Sequence, residues 1–225
     1  MKVVVAVVIY DRYKNLVQWT QLWAKSFTQD AELVVIHNYR NATERHHFHT
    51  HCQKANVKYV AHENVGFDIA RFQDICRNRI PEFPQDYDLL LWCTDDILPM
   101  RPTFIQEFLT EMKPGVSAAC YEVSKEVKPH IRTTGFMVRR EHLSSINFNV
   151  DPITTKPQCY DFEHRHPDNT LIDQMKKLGT VVQVGDVEES PLWDKGHNSR
   201  DARKRFRRRE AEQNINFKSI KQTTQ

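Results

Sequence analysis

The chain has 225 residues, of which 40% are hydrophobic, including 12 Phe, 7 Tyr and 4 Trp, and its formal net charge is +3 at pH 7. This composition suits one medium-sized domain with a substantial apolar core, and no segment approaches the roughly 20 apolar residues of a membrane-spanning helix. Five cysteines without a CxxC pair argue against a disulfide framework or a structural zinc site and favour a reducing, cytoplasmic location.

Apolar strands and helices alternate through the first half of the sequence. The run Val3–Ile9 is short and continues directly into Asp11-Arg12, so it predicts a buried strand rather than a signal peptide. Four such alternations predict an α/β fold whose open, twisted, mostly parallel sheet is doubly wound by helices and binds ligands beyond the carboxyl ends of its strands. The further strands are predicted at Glu32–His37, Val57–Ala61 and Asp88–Cys93, and the helices at Asn15–Phe27, Asn41–Ala55 and Ile69–Arg79.

The second half is less regular, which is typical of a sheet that acquires antiparallel strands. Strands are predicted at Ser117–Val123, Gly135–Val138 and Val181–Val184, and helices at Glu141–Ile146 and Asn169–Leu178. Gly179 directly follows the last of these helices, where glycine commonly ends a helix.

Positive charge is concentrated at the carboxyl terminus. From Arg200 onward the chain carries nine of its 32 Lys and Arg residues and three of its 29 acidic residues, which leaves positions 1–199 mildly acidic. We therefore divide the chain into a domain at 1–199 and a basic, helical tail at 200–225. The tail is either a solvated charge run or a surface for the phosphates of nucleic acid or anionic lipid.

The turn Thr94-Asp95-Asp96 follows the most hydrophobic predicted strand. Adjacent carboxylates at the end of a buried strand repel each other and resist desolvation unless a cation neutralises them. Mg²⁺ or Mn²⁺ suits this pair, because these ions combine one or two protein carboxylates with phosphate oxygens and water. The alternative is a solvated Asp-Asp turn that caps the next helix.

The segment NVGFDIARF (64–72) precedes the acidic turn by about one helix and one strand. Gly66 permits a tight turn, Asp68 offers an acceptor for ribose or base hydroxyl and amine groups, and Arg71 offers a bidentate partner for a diphosphate. Alone, the segment is equally typical of an ordinary helix start with Asp68 in its first turn.

Five segments in this order resemble the GT-A-fold (Rossmann-like) glycosyltransferases, particularly family 2. They are the first strand with YDR, NVGFDIARF, DYDLLLWCTDD, TTGFMVRREHL and DNTLIDQMKKLG, spanning roughly residues 3 to 185. Family 2 members use a nucleotide-sugar donor and invert the anomeric carbon. The resemblance therefore implies sugar transfer with inversion, aided by Mn²⁺ or Mg²⁺.

The resemblance also implies roles for matched positions. Asp96 takes the place of the metal-binding acid of the family's Asp-x-Asp turn, whereas Thr94 departs from its first acid. His197 matches a late histidine that serves as a metal ligand in many GT-A enzymes; an exposed loop histidine is the alternative. The implied nucleotide-sugar-binding residues are Tyr10, Asp11, Arg12, Asn64, Gly66, Asp68, Arg71, Thr94 and Asp95.

Two carboxylates compete for the role of catalytic base. Asp168 stands at the family's base position, although Pro167 replaces the usual Glu beside it, and Glu163 is near enough in sequence to be its rival. Either would deprotonate the acceptor hydroxyl. The structural alternative for Asp168 is an N-cap or first-turn acid of the helix that follows.

The leading hypothesis is thus a glycosyltransferase that acts on a saccharide or glycolipid acceptor. One alternative applies the same donor chemistry to a hydroxylated base in DNA, as some phage enzymes do in an infected host cell, with DNA held by Arg200–Arg209. A nucleotidyltransferase is a further alternative, although no glycine-rich basic loop follows the first strand. The last is a non-catalytic nucleic-acid-binding module that uses the tail.

A cluster of histidines at 46, 47, 49 and 51 lies on the predicted helix Asn41–Ala55. His47 and His51 would share one helical face at i, i+4, a workable metal pair. Because no third ligand is evident nearby, the sequence favours a solvated helix face over a zinc site.

Overall fold

The first half of the chain alternates strands and helices as the apolar pattern predicts. A computed structural model describes residues 1–27, 29–125, 127–185 and 190–194. Its elements to residue 111 are β1 (Val3–Tyr10), α1 (Tyr13–Trp23), β2 (Ala31–Tyr39), a 3₁₀ turn (Ala42–Glu44), α2 (Arg45–Lys54), β3 (Lys58–Glu63), α3 (Phe67–Cys76), β4 (Leu89–Thr94), β5 (Ile97–Pro99) and α4 (Phe104–Glu111).

The second half has shorter elements. They are β6 (Val116–Cys120), β7 (Val123–Ser124), β8 (His130–Ile131), β9 (Gly135–Arg139), α5 (Arg140–Leu143), α6 (Lys156–Tyr160), a π-helical turn (Asp161–Arg165), α7 (Leu171–Leu178), β10 (Thr180–Gln183) and β11 (Leu192–Asp194). None of the helices in the described ranges is long and apolar enough to cross a membrane.

The central sheet has seven strands in the order β10-β6-β9-β4-β1-β2-β3. All neighbouring strands are parallel except β9, which runs antiparallel to both β4 and β6. In β1, Val8 lies opposite Ile36 on one side and Thr94 on the other. The predicted open, mostly parallel sheet and its antiparallel member in the second half are therefore confirmed.

Strand β1 is buried on both faces, which explains its unbroken apolar sequence. Alternate side chains enter two separate cores, because successive residues of a strand point to opposite faces of the sheet. Val4, Ala6 and Val8 pack with α3 and α7, through residues such as Phe72 and Leu171. The other core contains Val3, Val5, Val7 and Ile9 and the buried residues of α1, α2 and α4, among them Trp19, Phe48 and Phe104.

The five cysteines are all free and buried. Burial alone raises the pKa of the Cys93 thiol above its ordinary range. These residues act as small apolar side chains in the core, in agreement with the prediction that the chain contains no disulfide framework.

Gly66 is the N-cap residue of α3, and its position requires glycine. Its φ of 74° lies in the left-handed region, which side chains with a Cβ atom rarely adopt. A Cβ atom at this position would also overlap the carbonyl oxygen of Ile153 and lie 2.6 Å from the Cβ of Ala70. Glycine is therefore required both by the backbone angle and by the close approach of the 153 segment.

We expect Gly66→Ala to destabilise the fold by at least about 2 kcal/mol more than Gly115→Ala, measured by urea unfolding. Gly115 is a matched control, since it has a φ of 83° but no atom within 4 Å of an added Cβ. Both variants carry the left-handed backbone cost, and only the first adds an overlap. Equal destabilisation would show that the contact with Ile153 is not restrictive.

Candidate functional site

The loops that follow β1, β2, β3 and β4 meet at one edge of the sheet. These strands are mutually parallel, so their carboxyl ends point the same way. The loops surround a cavity of about 300 Å³. Its lining residues are Val8, Tyr10, Arg12, Asn38, Arg40, Asn64, Phe67, Asp68, Thr94, Asp95, Asp96 and Thr134.

The acidic turn lies on one wall of this cavity, with a positive charge beside it. The Asp95 side chain is 7% exposed, and that of Asp96 is 42% exposed. Arg12 places Nη1 2.5 Å from Asp96 Oδ1 and 3.6 Å from Asp95 Oδ1. Asn15 donates a hydrogen bond of 3.0 Å to Asp95 Oδ2. The guanidinium of Arg12 therefore partly neutralises the two carboxylates and occupies the position expected for a metal ion.

Three polar atoms of the cavity are buried without a hydrogen-bond partner among the described residues. They are Tyr10 Oη, Asn38 Oδ1 and Thr94 Oγ1. An unsatisfied buried polar group costs about 1–3 kcal/mol, so such groups mark places that a polar ligand would complete. Asn38 is itself oriented, because its Nδ2 donates to Asn64 Oδ1 at 2.8 Å. Carboxylate and hydroxyl oxygens together form a donor set that fits Mg²⁺ or Mn²⁺.

The carboxyl group of Asp68 is a weaker acid than an ordinary aspartate side chain. Burial raises its pKa to about 7, and the negative charges of Glu163 and Asp95 add to that effect, while backbone N–H groups at the start of α3 oppose it. A cavity-lining carboxyl group with a pKa near neutrality is able both to accept and to release a proton under physiological conditions.

This raised pKa predicts that Asp68 destabilises the folded protein at neutral and alkaline pH. Between about pH 4 and 7 the folded state binds more protons than the unfolded state, so stability falls as pH rises and the penalty is complete above pH 7. Asp68→Asn should therefore increase the free energy of unfolding near pH 8 by at most about 4 kcal/mol, with little change near pH 4. Urea titrations at both pH values measure the difference.

Asp86→Asn is the control for this experiment. Asp86 is an exposed carboxylate whose pKa is lowered by its hydrogen bond and ion pair with Lys2. Its replacement should yield no stability gain at alkaline pH. A gain for Asp68→Asn that is the same at both pH values would contradict the electrostatic cause.

Three predicted donor-binding residues lie outside the cavity lining. Asp11 contacts His37 Nε2 at 3.0 Å and accepts a hydrogen bond of 2.9 Å from the backbone N–H of Arg40, which does line the cavity. Arg71 pairs with Asp74 at 3.0 Å and donates to Val65 O, so its guanidinium is engaged within α3 and the preceding loop. Gly66 shapes the start of α3.

The two predicted base candidates have different surroundings. The Asp168 side chain is 86% exposed and lies 3.2 Å from His166 Nδ1. It does not cap α7, whose N-cap is Thr170 in a capping box with Asp173, so the interpretation of Asp168 as a cap or first-turn acid is wrong. The Glu163 side chain is 15% exposed, and its Oε1 accepts a hydrogen bond of 2.9 Å from Thr133 Oγ1.

The cavity also contains residues that the sequence analysis did not select. Asn38 and Arg40 lie at the carboxyl end of β2. The rule that ligands bind beyond the carboxyl ends of parallel strands could have identified them from the sequence. Thr134 precedes β9, and only the antiparallel pairing of β9 with β4 brings it to the cavity. Phe67 has a left-handed φ of 59°, which the sequence does not indicate.

Two further predictions concern residues outside the described ranges. These are His197, expected as a metal ligand, and the basic tail at 200–225 with Arg200–Arg209.

The histidine-rich helix α2 presents a solvated face, as predicted, with His46, His47 and His49 exposed. His51 instead contacts Thr20 Oγ1 at 2.7 Å. Within the described ranges, the metal-ligating side chains that converge in one place are other residues, His130, Glu163 and His164.

Comparison with known proteins gives matches in structure only. No family model and no curated protein sequence matches the chain. The mannosyltransferase PcManGT from Pyrobaculum calidifontis, solved in complex with GDP-Man and Mn²⁺, superposes with a TM-score of 0.57 at 11% identity, over 83% of this chain and 55% of that one. A cytidylyltransferase from Leptospira borgpetersenii serovar Hardjo-bovis gives a TM-score of 0.50 at 14% identity, over 85% of this chain and 78% of that one.

These likenesses concern the fold. The mostly parallel seven-stranded sheet and its superposition on the mannosyltransferase confirm the predicted GT-A-like architecture. The chain spans about half the length of that mannosyltransferase.

Proposed function

We propose that the chain transfers a sugar from a nucleotide-sugar to an acceptor hydroxyl, with inversion at the anomeric carbon and with the help of Mn²⁺ or Mg²⁺. The observation that carries the proposal is the cavity at the carboxyl edge of a GT-A-like sheet, which combines two adjacent carboxylates with buried, unsatisfied polar atoms. Ligands of open α/β sheets bind at this edge.

In this proposal the donor nucleotide binds in the part of the cavity formed by the β1 and β2 loops. Arg40 lies over the Tyr10 ring, 5.1 Å from its centroid, and lines the cavity together with Arg12. The two guanidinium groups supply the positive charge that a diphosphate requires. The unsatisfied Tyr10 Oη would donate a hydrogen bond to the base or ribose or accept one from it, and the unsatisfied Asn38 Oδ1 would accept one.

Asp96 is the first metal ligand in this proposal, because it is the more exposed carboxylate of the turn, and Asp95 supports it. Thr94, where the family pattern has an acid, would contribute a hydroxyl oxygen to donor binding. A bound divalent ion would act as a Lewis acid on the leaving diphosphate. His197 is the expected additional ligand. Arg12, which pairs with Asp96 in this structure, would then be available to the diphosphate.

We assign the proton-accepting role to Asp68 ahead of Asp168 and Glu163. Asp68 lines the cavity and has a pKa of about 7, which suits a general base at neutral pH. Glu163 accepts hydrogen bonds from Thr133 at Oε1 and does not line the cavity, and Asp168 is largely in solvent. The acceptor hydroxyl would lose its proton to Asp68 as its oxygen attacks the anomeric carbon from the side opposite the diphosphate.

Kinetics of matched variants test this assignment once a donor is identified. Asp68→Asn should lower kcat by about 10²- to 10⁴-fold with a smaller effect on the KM of the donor, because the base acts in the chemical step. Asp168→Asn should keep kcat within about threefold, since its side chain is exposed. A larger loss of kcat in Asp168→Asn than in Asp68→Asn would instead identify Asp168 as the base.

The connection between β1 and α1 separates this proposal from a nucleotidyltransferase. It consists of Asp11 and Arg12 alone, without the glycine-rich basic loop that such an enzyme usually carries after its first strand. The acceptor is proposed to be a saccharide or glycolipid.

A thermal-shift panel of UDP-, GDP-, CMP- and dTDP-sugars, each with and without Mn²⁺, tests donor binding. We expect one donor to raise the Tm only when the ion is present, because a ligand that binds the folded state alone stabilises it by mass action. Asp96→Asn should abolish the metal-dependent part of the shift, whereas Asp86→Asn, at an exposed site paired with Lys2, should leave it unchanged. A panel without any metal-dependent shift would refute the proposed donor site.

A further inference from the structure

Three metal-ligating side chains converge beside the donor cavity. His130 lies in β8, and Glu163 and His164 lie in the π-helical turn Asp161–Arg165. Each offers one ligand atom, and these atoms all lie within 4.8 Å of one another. π-Helical turns are rare and frequently occur at functional sites, which directs attention to this one.

The imidazole of His130 is prepared for metal binding by its backbone contact. Its Nδ1 lies 2.8 Å from the carbonyl oxygen of Lys128. A carbonyl oxygen can only accept, so Nδ1 carries the proton and donates it. This tautomer leaves a lone pair on Nε2 in the neutral ring, and a backbone carbonyl on the other ring nitrogen is the usual outer partner of a metal-bound histidine.

Hydrogen bonds to one oxygen also orient the carboxylate of Glu163. Its Oε1 accepts hydrogen bonds from the Thr133 backbone N–H at 3.3 Å and from Thr133 Oγ1 at 2.9 Å. Its other oxygen, Oε2, lies 3.3 Å from His164 Nδ1. Two ligand atoms that are each about 2.0–2.1 Å from a tetrahedral ion are separated by roughly this distance.

His164 Nδ1 lacks a hydrogen bond. The atom is buried and has no hydrogen-bond partner among the described residues, even though Glu163 Oε2 is near. The His164 side chain is only 13% exposed, and its ring lies 5.0 Å from that of His130, centroid to centroid. A buried nitrogen without a partner is costly, and an ion at this place would satisfy it.

We infer that His130, Glu163 and His164 form a binding site for a zinc-type divalent ion. Two imidazoles and one carboxylate select borderline ions such as Zn²⁺ over Mg²⁺, which prefers oxygen ligands. Three protein ligands leave a fourth position for water or another small ligand, as in zinc sites that are not closed by four side chains. The site differs in chemistry and in residues from the carboxylate turn proposed for Mn²⁺ or Mg²⁺.

An ion at this site would join two segments that adjoin the cavity. Thr133, which holds Glu163, directly precedes the cavity-lining Thr134. Lys128, whose carbonyl holds His130, also donates from Nζ to the carbonyl oxygens of His166 and Pro167. The inference stands on this geometry and is independent of sugar transfer.

The test is a titration of the chelator-treated, full-length protein with Zn²⁺ by calorimetry, repeated with Co²⁺ to record the visible absorption of the bound ion. We expect one Zn²⁺ site for which Mg²⁺ does not compete. His164→Gln and Glu163→Gln should each weaken Zn²⁺ binding by at least tenfold and reduce the intensity of the Co²⁺ bands. Circular dichroism and thermal unfolding of each variant confirm that it is folded. His164→Gln is the principal variant, because its side chain is less deeply buried than His130.

Two control variants distinguish this site from its rivals. Asp96→Asn, in the carboxylate turn, and His47→Gln, on the exposed face of α2, should both retain full Zn²⁺ affinity. The inference is overturned if no Zn²⁺ binds, if binding survives unchanged in His164→Gln and Glu163→Gln, or if binding is lost in either control.

Discussion

Parallel pairing of β1 with both β2 and β4 is the constraint from which the site follows. It aligns the carboxyl ends of these strands and of β3, so loops that are distant in sequence open on one cavity. The pairing is stable only when both faces of the sheet are covered, because parallel strands bury both faces. The two cores on either side of β1 supply this cover and hold the loop ends in position.

A concentration of negative charge gives the cavity its chemistry. Asp95 is nearly buried, Asp96 is adjacent to it, and the pKa of Asp68 is raised by burial and by the charges of Glu163 and Asp95. Arg12 offsets part of this repulsion at the acidic turn. Such an arrangement reduces the stability of the folded protein and increases its attraction for cations, which is a common compromise at functional sites.

Much of this arrangement could be predicted from the sequence, for local reasons. Continuous apolar runs predicted the parallel strands, and the turn after the most hydrophobic of them predicted the acidic wall of the cavity. Among the lining residues, Asn64, Asp68, Thr94, Asp95 and Asp96 belong to segments that follow a predicted strand or begin the next helix. Tyr10 and Arg12 were selected through the resemblance to GT-A glycosyltransferases. The short strands of the second half were predicted less fully, since two-residue strands such as β7 and β8 leave no periodic signal.

Local sequence signals were enough to predict the class of fold and the loops around the cavity, because hydrophobic periodicity and turn chemistry are local properties. The absence of a CxxC pair likewise indicated free cysteines. Tertiary contacts determine which side chains face the cavity and which stabilise the scaffold. In the folded chain Arg71 pairs with Asp74, the Asp168 side chain is exposed to solvent, and His130 lies close to Glu163 and His164. These outcomes depend on contacts between residues far apart in the chain, and on burial, which sets the acidity of Asp68.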